Sequence, residues 1–153
     1  MDNIEIRQPD MSELTQVQQL RHVVLDTARL IKTDHQLTAK DFAEETIHMA
    51  AFDCGEVVGT VRLDLVGTEP NIYEVRKMVV VPTTRGKGVV RLMLSAALTK
   101  AQSRGATGFT LDARREAIPF FKKLGFELTG KRIVHADGVP NYAMERTAAI
   151  ISS

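Results

Sequence analysis

Apolar positions in this chain change period several times. Ile4 and Ile6 alternate with polar neighbours as a short first strand, whereas Leu14, Val17, Leu20, Val24 and Ile31 recur at helical spacing, with Ser12 standing where an N-cap belongs. Thr38 and Asp41 have the spacing of a capping box and predict a second, shorter helix. From residue 47 the pattern turns extended. Residues 47–52, the turn Asp53-Cys54-Gly55-Glu56 and residues 57–66 read as a β-hairpin, and 72–81 as a fourth strand ended by Pro82, which has no N–H to give a ladder. Val89, Leu92, Met93, Ala96, Ala97 and Ala101 then share one face of a helix over about 88–104, closed by Gly105. A fifth strand at 108–112, a short helix near 118–124 with Pro119 in its first turn, and two last strands near 126–134 and 142–146 complete the order. These elements predict an α/β fold with a mixed, mostly antiparallel sheet.

Composition narrows the classes without choosing among them. The 153 residues are 44% hydrophobic and 25% charged, a globular balance, and a chain of this size buries roughly 70% of its unfolded surface in one core. No repeat, low-complexity stretch or linker marks a boundary, so the expected organisation is one domain over 1–147 with a short tail at 148–153. No apolar run approaches the roughly 18 residues of a membrane span, and a net charge of +1 gives no general pull toward nucleic acid or anionic lipid. The first residues show no basic region followed by an apolar stretch, and Cys54 is the lone cysteine, so a cytoplasmic location is expected. His22, His35, His48 and His135 are scattered without ligand spacing, and no metal site is expected.

The strongest chemical signal is Arg85-Gly86-Lys87-Gly88, set between the fourth strand and an amphipathic helix. A helix entrance presents unpaired N–H groups and partial positive charge, and glycines let phosphate oxygens approach that backbone. Two nucleotide motifs fail on the same residues. A P-loop needs Lys after its second glycine, followed by Ser or Thr, and here Lys87 precedes Gly88. A dinucleotide fingerprint needs a third glycine where Arg91 stands.

The segment Val79-Val80-Val81-Pro82-Thr83-Thr84-Arg85-Gly86-Lys87-Gly88-Val89-Val90 resembles the GNAT acetyltransferases, whose pattern is a strand ending V-x-P, then [QR]-x-x-G-x-[GA], then a helix. Thr83 departs from the first position of that pattern. A second family signature, A-x-x-F-Y-x-x-x-G-F, reads Ala117-Ile118-Pro119-Phe120-Phe121-Lys122-Lys123-Leu124-Gly125-Phe126, with Phe121 in place of Tyr. Leu20-Arg21 and the stretch Asp137 to Met144 look like a small bacterial branch whose members often have His where Asn141 stands.

The resemblance implies a GNAT fold: a sheet of six or seven strands flanked by about four helices, splayed between the fourth and fifth strands, with acetyl-CoA in the gap. Carried over, the backbone of Met78 and Val80 pairs with the pantetheine arm, and Val79 belongs to the same segment. The N–H groups of Arg85, Gly86, Lys87, Gly88, Val89 and Val90 hold the pyrophosphate, Arg114 reaches toward the phosphates, and Phe121 packs near the sulfur. Glu74 is the candidate base, four residues before Met78 and hence expected on the same face of the strand. Tyr142 is the substitute acid for the hydroxyl that Phe121 lacks, and an N–H near Val80 polarises the thioester carbonyl.

The reaction so implied is acetyl transfer to a small-molecule amine by direct attack. Two other readings stand beside it, an acyl-CoA-binding regulatory module and a protein N-acetyltransferase. Homodimers are common among proteins of this kind, though no segment encodes an interface.

Overall fold

The structure, a computed structural model, describes residues 4–29, 37–68, 71–84, 88–134, 136 and 138–148. Seven strands form one sheet in the order β1-β2-β3-β4-β5-β7-β6: β1 (Ile4–Arg7), β2 (Ile47–Asp53), β3 (Glu56–Thr68), β4 (Asn71–Val80), β5 (Gly108–Arg114), β6 (Glu127–Val134) and β7 (Pro140–Thr147). Four α-helices accompany them among the described residues: α1 (Leu14–Arg29), α2 (Ala39–Phe42), α3 (Val89–Ser103) and α4 (Ile118–Lys123). All neighbouring strands run antiparallel except β4 and β5.

Local chemistry accounts for most boundaries. The β2–β3 turn places Cys54 and Gly55 at positive φ, as a two-residue hairpin requires. Gly105 ends α3 at φ +90, with its N–H on the Gln102 carbonyl and the Ala106 N–H on the Ala101 carbonyl, a Schellman arrangement that uses up two orphan acceptors. The entry to α1 differs from expectation. Asp10, not Ser12, is the cap: its carboxylate accepts the Glu13 N–H while Glu13 reaches back to the Asp10 N–H, and the Ser12 hydroxyl merely donates to Asp10. Ile31, predicted to continue this helix, lies outside the described residues.

Helices cover both faces. The α3/α4 face holds the main core, where Met93, Leu94, Ala97 and Phe121 meet Tyr73, Val75 and Val80 of β4 and Phe109 and Leu111 of β5. On the other face Leu20 and Val24 of α1 pack on Val79. Consecutive residues Val79 and Val80 thus serve opposite layers, as strand alternation dictates. The outer strand β6 is almost wholly exposed and is bent at Gly130, where its register with β7 shifts.

Two irregularities shape the centre of the sheet. β4 and β5 pair only from Ile72↔Gly108 to Glu74↔Thr110 and then part, leaving 75–80 and 111–114 facing a gap. β4 also bulges. Between Thr60↔Val79 and Arg62↔Arg76, two steps of β3 oppose three steps of β4, and Lys77 takes φ +53 in the extra position.

Candidate active site

The gap opens beside a cavity of about 430 Å³ lined by Met78, Thr84, Gly88, Val89, Phe120 and Phe121, with Val90, Arg91 and Ala117 completing the wall. Its size and apolar lining are those of a small-molecule site. Phe121 is buried between Phe120 and Phe126, edge-to-face on each, with ring centroids 5.2 and 5.9 Å away.

One edge of the gap is polar because its backbone is unpaired. The Val81 N–H donates to the Val58 carbonyl at 2.9 Å, so alternation turns the N–H and C=O of Val80 away from β3 and toward the gap, with Met78 one step of two before it. At the cavity's far wall α3 begins. Gly88 caps it at φ +76, and among the described residues no atom lies within 4 Å of where a Cβ would stand, so glycine is needed there for the backbone turn. The first N–H groups of α3 lack helical acceptors.

Of the residues expected to hold the coenzyme, the structure gathers Met78, Gly88, Val89, Val90 and Phe121 around the cavity, with the Val80 backbone at its edge. Arg85, Gly86 and Lys87 lie outside the described residues. Two expectations need correction. Val79 turns its side chain to α1, and its backbone is ladder-bonded to β3. Arg114 pairs with Asn141 while neighbouring Ala113 faces the main core, so Arg114 points to the α1/α2 face, away from the cavity. Sequence reasoning missed Thr84, Arg91, Ala117 and Phe120 as lining residues. Ala117 and Phe120 belong to the second signature, and Arg91 falls in the first turn of α3.

The expected shared face of Glu74 and Met78 is also overturned. Met78 packs with the α3/α4 core. Glu74, opposite Asp64 and next to buried Tyr73 and Val75, points to the α1/α2 face, because the extra residue at Lys77 shifts the alternation between them. Glu74 is the last β4 residue paired with β5, at the apex of the gap, and accepts from Arg76 Nη1 at 3.3 Å. Tyr142, opposite Ala113 and Arg132, stands on the α3/α4 face outside the cavity lining. A hydrogen bond from Arg115, with Arg132 nearby, holds its phenol below the ordinary pKa of 10.0.

Beneath α1 and α2 lies a charge cluster that the sequence did not announce. Asp41 Oδ1 accepts from Arg21 Nη1 at 3.0 Å and Arg62 Nη1 at 3.1 Å, while its Oδ2 accepts the Thr38 N–H at 2.9 Å. Arg62 forks onto Asp64 at 2.7 and 2.9 Å. Arg21 is 1% exposed, and its Nε and Nη2 have no hydrogen-bond partner among the described residues. Burial raises the Asp41 pKa, but the Thr38 bond and the Arg21 and Arg62 guanidiniums outweigh it and hold the carboxyl at about 2. His48 donates Nε2–H to the Asp41 carbonyl at 2.9 Å, and burial, then the two arginines, lower its pKa.

A family model described as the acetyltransferase (GNAT) family matches residues 11–126 of this chain. The chain belongs to that family. As a GNAT member it is an acyltransferase of the N-acetyltransferase kind, with an acyl-CoA as cosubstrate and amines as acceptors. It is 26% identical over 104 residues to the uncharacterized N-acetyltransferase YjcF of Bacillus subtilis (strain 168), covering 68% of this chain and 72% of that protein. Its fold is similar to a putative N-acetyltransferase from Lactobacillus plantarum, with TM-score 0.81 and 21% identity over 95% of this chain and 98% of the other. An aminoglycoside 6′-N-acetyltransferase complexed with coenzyme A gives TM-score 0.78 and 18% identity over 94% and 97% of the two chains. The splayed GNAT sheet expected from the sequence is thus present. No described helix is long and apolar enough to cross a membrane, and no described group of His, Cys, Asp or Glu has the makings of a metal site.

Proposed function

We propose that this GNAT protein transfers the acetyl group of acetyl-CoA to the amine of a small molecule by direct attack within a ternary complex. The observation that carries this reading is the apolar cavity joined to an unpaired β4 edge and a glycine-capped α3 entrance. An extended pantetheine arm suits that edge as an added strand would, with phosphates at the helix N-terminus. The Val80 N–H polarises the carbonyl, Glu74 receives the amine proton through water, and Tyr142 supplies a proton to the leaving thiolate. A covalent enzyme intermediate has little support, since Cys54 sits exposed in the β2–β3 turn and a hydrogen bond to Asp53 raises its pKa. We read residues 1–147 as one catalytic domain working in the cytoplasm, where an exposed unpaired thiol is ordinary.

A screen of amines for free CoA release tests the reading. Gly88→Asp, which puts a side chain and a negative charge at the helix entrance, should weaken acetyl-CoA binding by about tenfold or more, measured by calorimetry on folded protein. Unchanged affinity removes the phosphate assignment. Coenzyme binding without turnover for any amine favours a binding module instead.

A further inference from the structure

Lys77 occupies the bulge of β4 at φ +53, a left-handed conformation that residues with a Cβ rarely take. It adjoins Met78, which lines the cavity on the α3/α4 face. The charges around its ammonium, however, are Arg62, Arg21, Arg76 and Asp41, the group gathered on the α1/α2 face with Asp64 and Glu74. The bulge therefore delivers an amine from the donor edge of β4 to the opposite side of the gap, where an acceptor must stand to meet an acyl group presented through the splay.

Three carboxylates on that face are already engaged. Asp41 binds Arg21 and Arg62, Asp64 takes the fork of Arg62, and Glu74 accepts from Arg76. Lys77 is half-buried and pairs with none of them. Burial first, then the charges of Arg62, Arg21 and Arg76, lower its pKa. Both effects favour the neutral amine, the form that attacks a carbonyl.

We infer that Lys77 is an acceptor built into the chain, which takes an acyl group from bound acyl-CoA onto its own Nζ. This rests on the coenzyme placement proposed above. The neutral Nζ attacks the thioester carbonyl, an N–C bond forms, the C–S bond breaks, and the proton lost by nitrogen goes to the departing thiolate, giving an amide and free CoA. Five bonds of about 1.5 Å put Nζ roughly 6 Å from Cα, within reach of a donor lying along the Met78 and Val80 backbone. The amide carries no charge, so acylation removes a cation that burial and three guanidiniums oppose. It also leaves a blocked amine on the acceptor side, which makes the modification self-limiting.

The test uses the full chain with acetyl-CoA and no amine, followed by peptide mass spectrometry over time, with coenzyme affinity measured in parallel by calorimetry. One acetyl group should accumulate at Lys77, faster than at exposed Lys122, Lys123 or Lys131 by about tenfold or more, because a bound donor is held beside Lys77 and meets the others only by collision. The rate per chain should not change with protein concentration. If the coenzyme binds and Lys77 is labelled no faster than the exposed lysines, self-acylation is refuted while the coenzyme site stands. A rate that rises with protein concentration refutes the intramolecular step, and failure to bind acetyl-CoA overturns both proposals.

Discussion

On the α3/α4 face the splayed strands meet a cavity lined by Met78, Val89, Phe120 and Phe121 and edged by unpaired backbone. On the α1/α2 face the same strands carry Arg62, Asp64, Glu74 and Arg76, with Arg21 and Asp41 pressed onto them from the helices. The first face offers shape and main-chain hydrogen bonds, which tolerate many side chains so long as glycine, strand edge and helix entrance keep their places. The second is held by specific charges in low dielectric, where losing one partner strands another. Ligand recognition through backbone and helix positioning through side chains are thus assigned to opposite sides of one sheet.

The sharpest test of that division is Glu74, the carboxylate at the apex. As base on the acceptor side, Glu74→Gln should lower kcat by about 10²–10⁴-fold with little change in acetyl-CoA affinity. Equal turnover in steady-state assays would return Glu74 to a simple pair with Arg76.

Next in size is the hub. Asp41→Ala leaves two buried guanidiniums without their shared acceptor and should cost about 3–5 kcal/mol of stability, read by urea denaturation. A loss near that of an exposed ion pair would mean that the cluster does not hold α1 and α2 down.

Acid should reproduce part of this loss. Asp41 sits at about 2 against an ordinary 3.8, so its stabilisation is fully present above the unfolded value and disappears as pH falls toward 2. The shift corresponds to about 2 kcal/mol. Glu13, also near 2 beside Arg7, acts in the same direction. The hub's share is therefore the difference in pH dependence between the parent and Asp41→Ala, and parallel curves would remove it.

The smallest effects belong to proton delivery on the cavity face. A thiol leaves readily, its reference pKa being about 8.5, so Tyr142→Phe should lower kcat by about tenfold or less. Phe121→Tyr should restore most of that loss with acetyl-CoA affinity nearly unchanged. Equal losses with and without the Phe121 change would exclude Tyr142 as the acid.

The two faces also differed in how far the sequence revealed them. Gly88, Pro82 and Gly105 act through local backbone rules, so the strand end and the helix entrance were legible from neighbours in the chain, while of the aromatic cavity wall only Phe121 was reached, through the family resemblance. The Asp10 cap was legible too, as Asp10 and Glu13 at capping-box spacing, but Ser12 stood nearer the apolar run. The bulge was hidden, because Glu74 to Val80 reads as an unbroken strand and only the pairing with β3 reveals the extra residue. Arg21 sits among Leu20 and Val24 as an ordinary helical polar position. Its burial depends on Asp41, 20 residues away, and on Arg62 of β3, a meeting that tertiary packing alone brings about.

The short parallel pairing at Ile72–Glu74 has a mechanical meaning. Three residue pairs join β1–β4 to β5–β7, and beyond them the two half-sheets lean apart without ladder bonds. Such a joint is a hinge, and a ligand lying along the β4 edge would splint it. Amide hydrogens of 111–114 and 75–80 should therefore exchange more slowly once the gap is filled, while those of β2 stay as they were. The melting temperature should climb with ligand concentration by mass action.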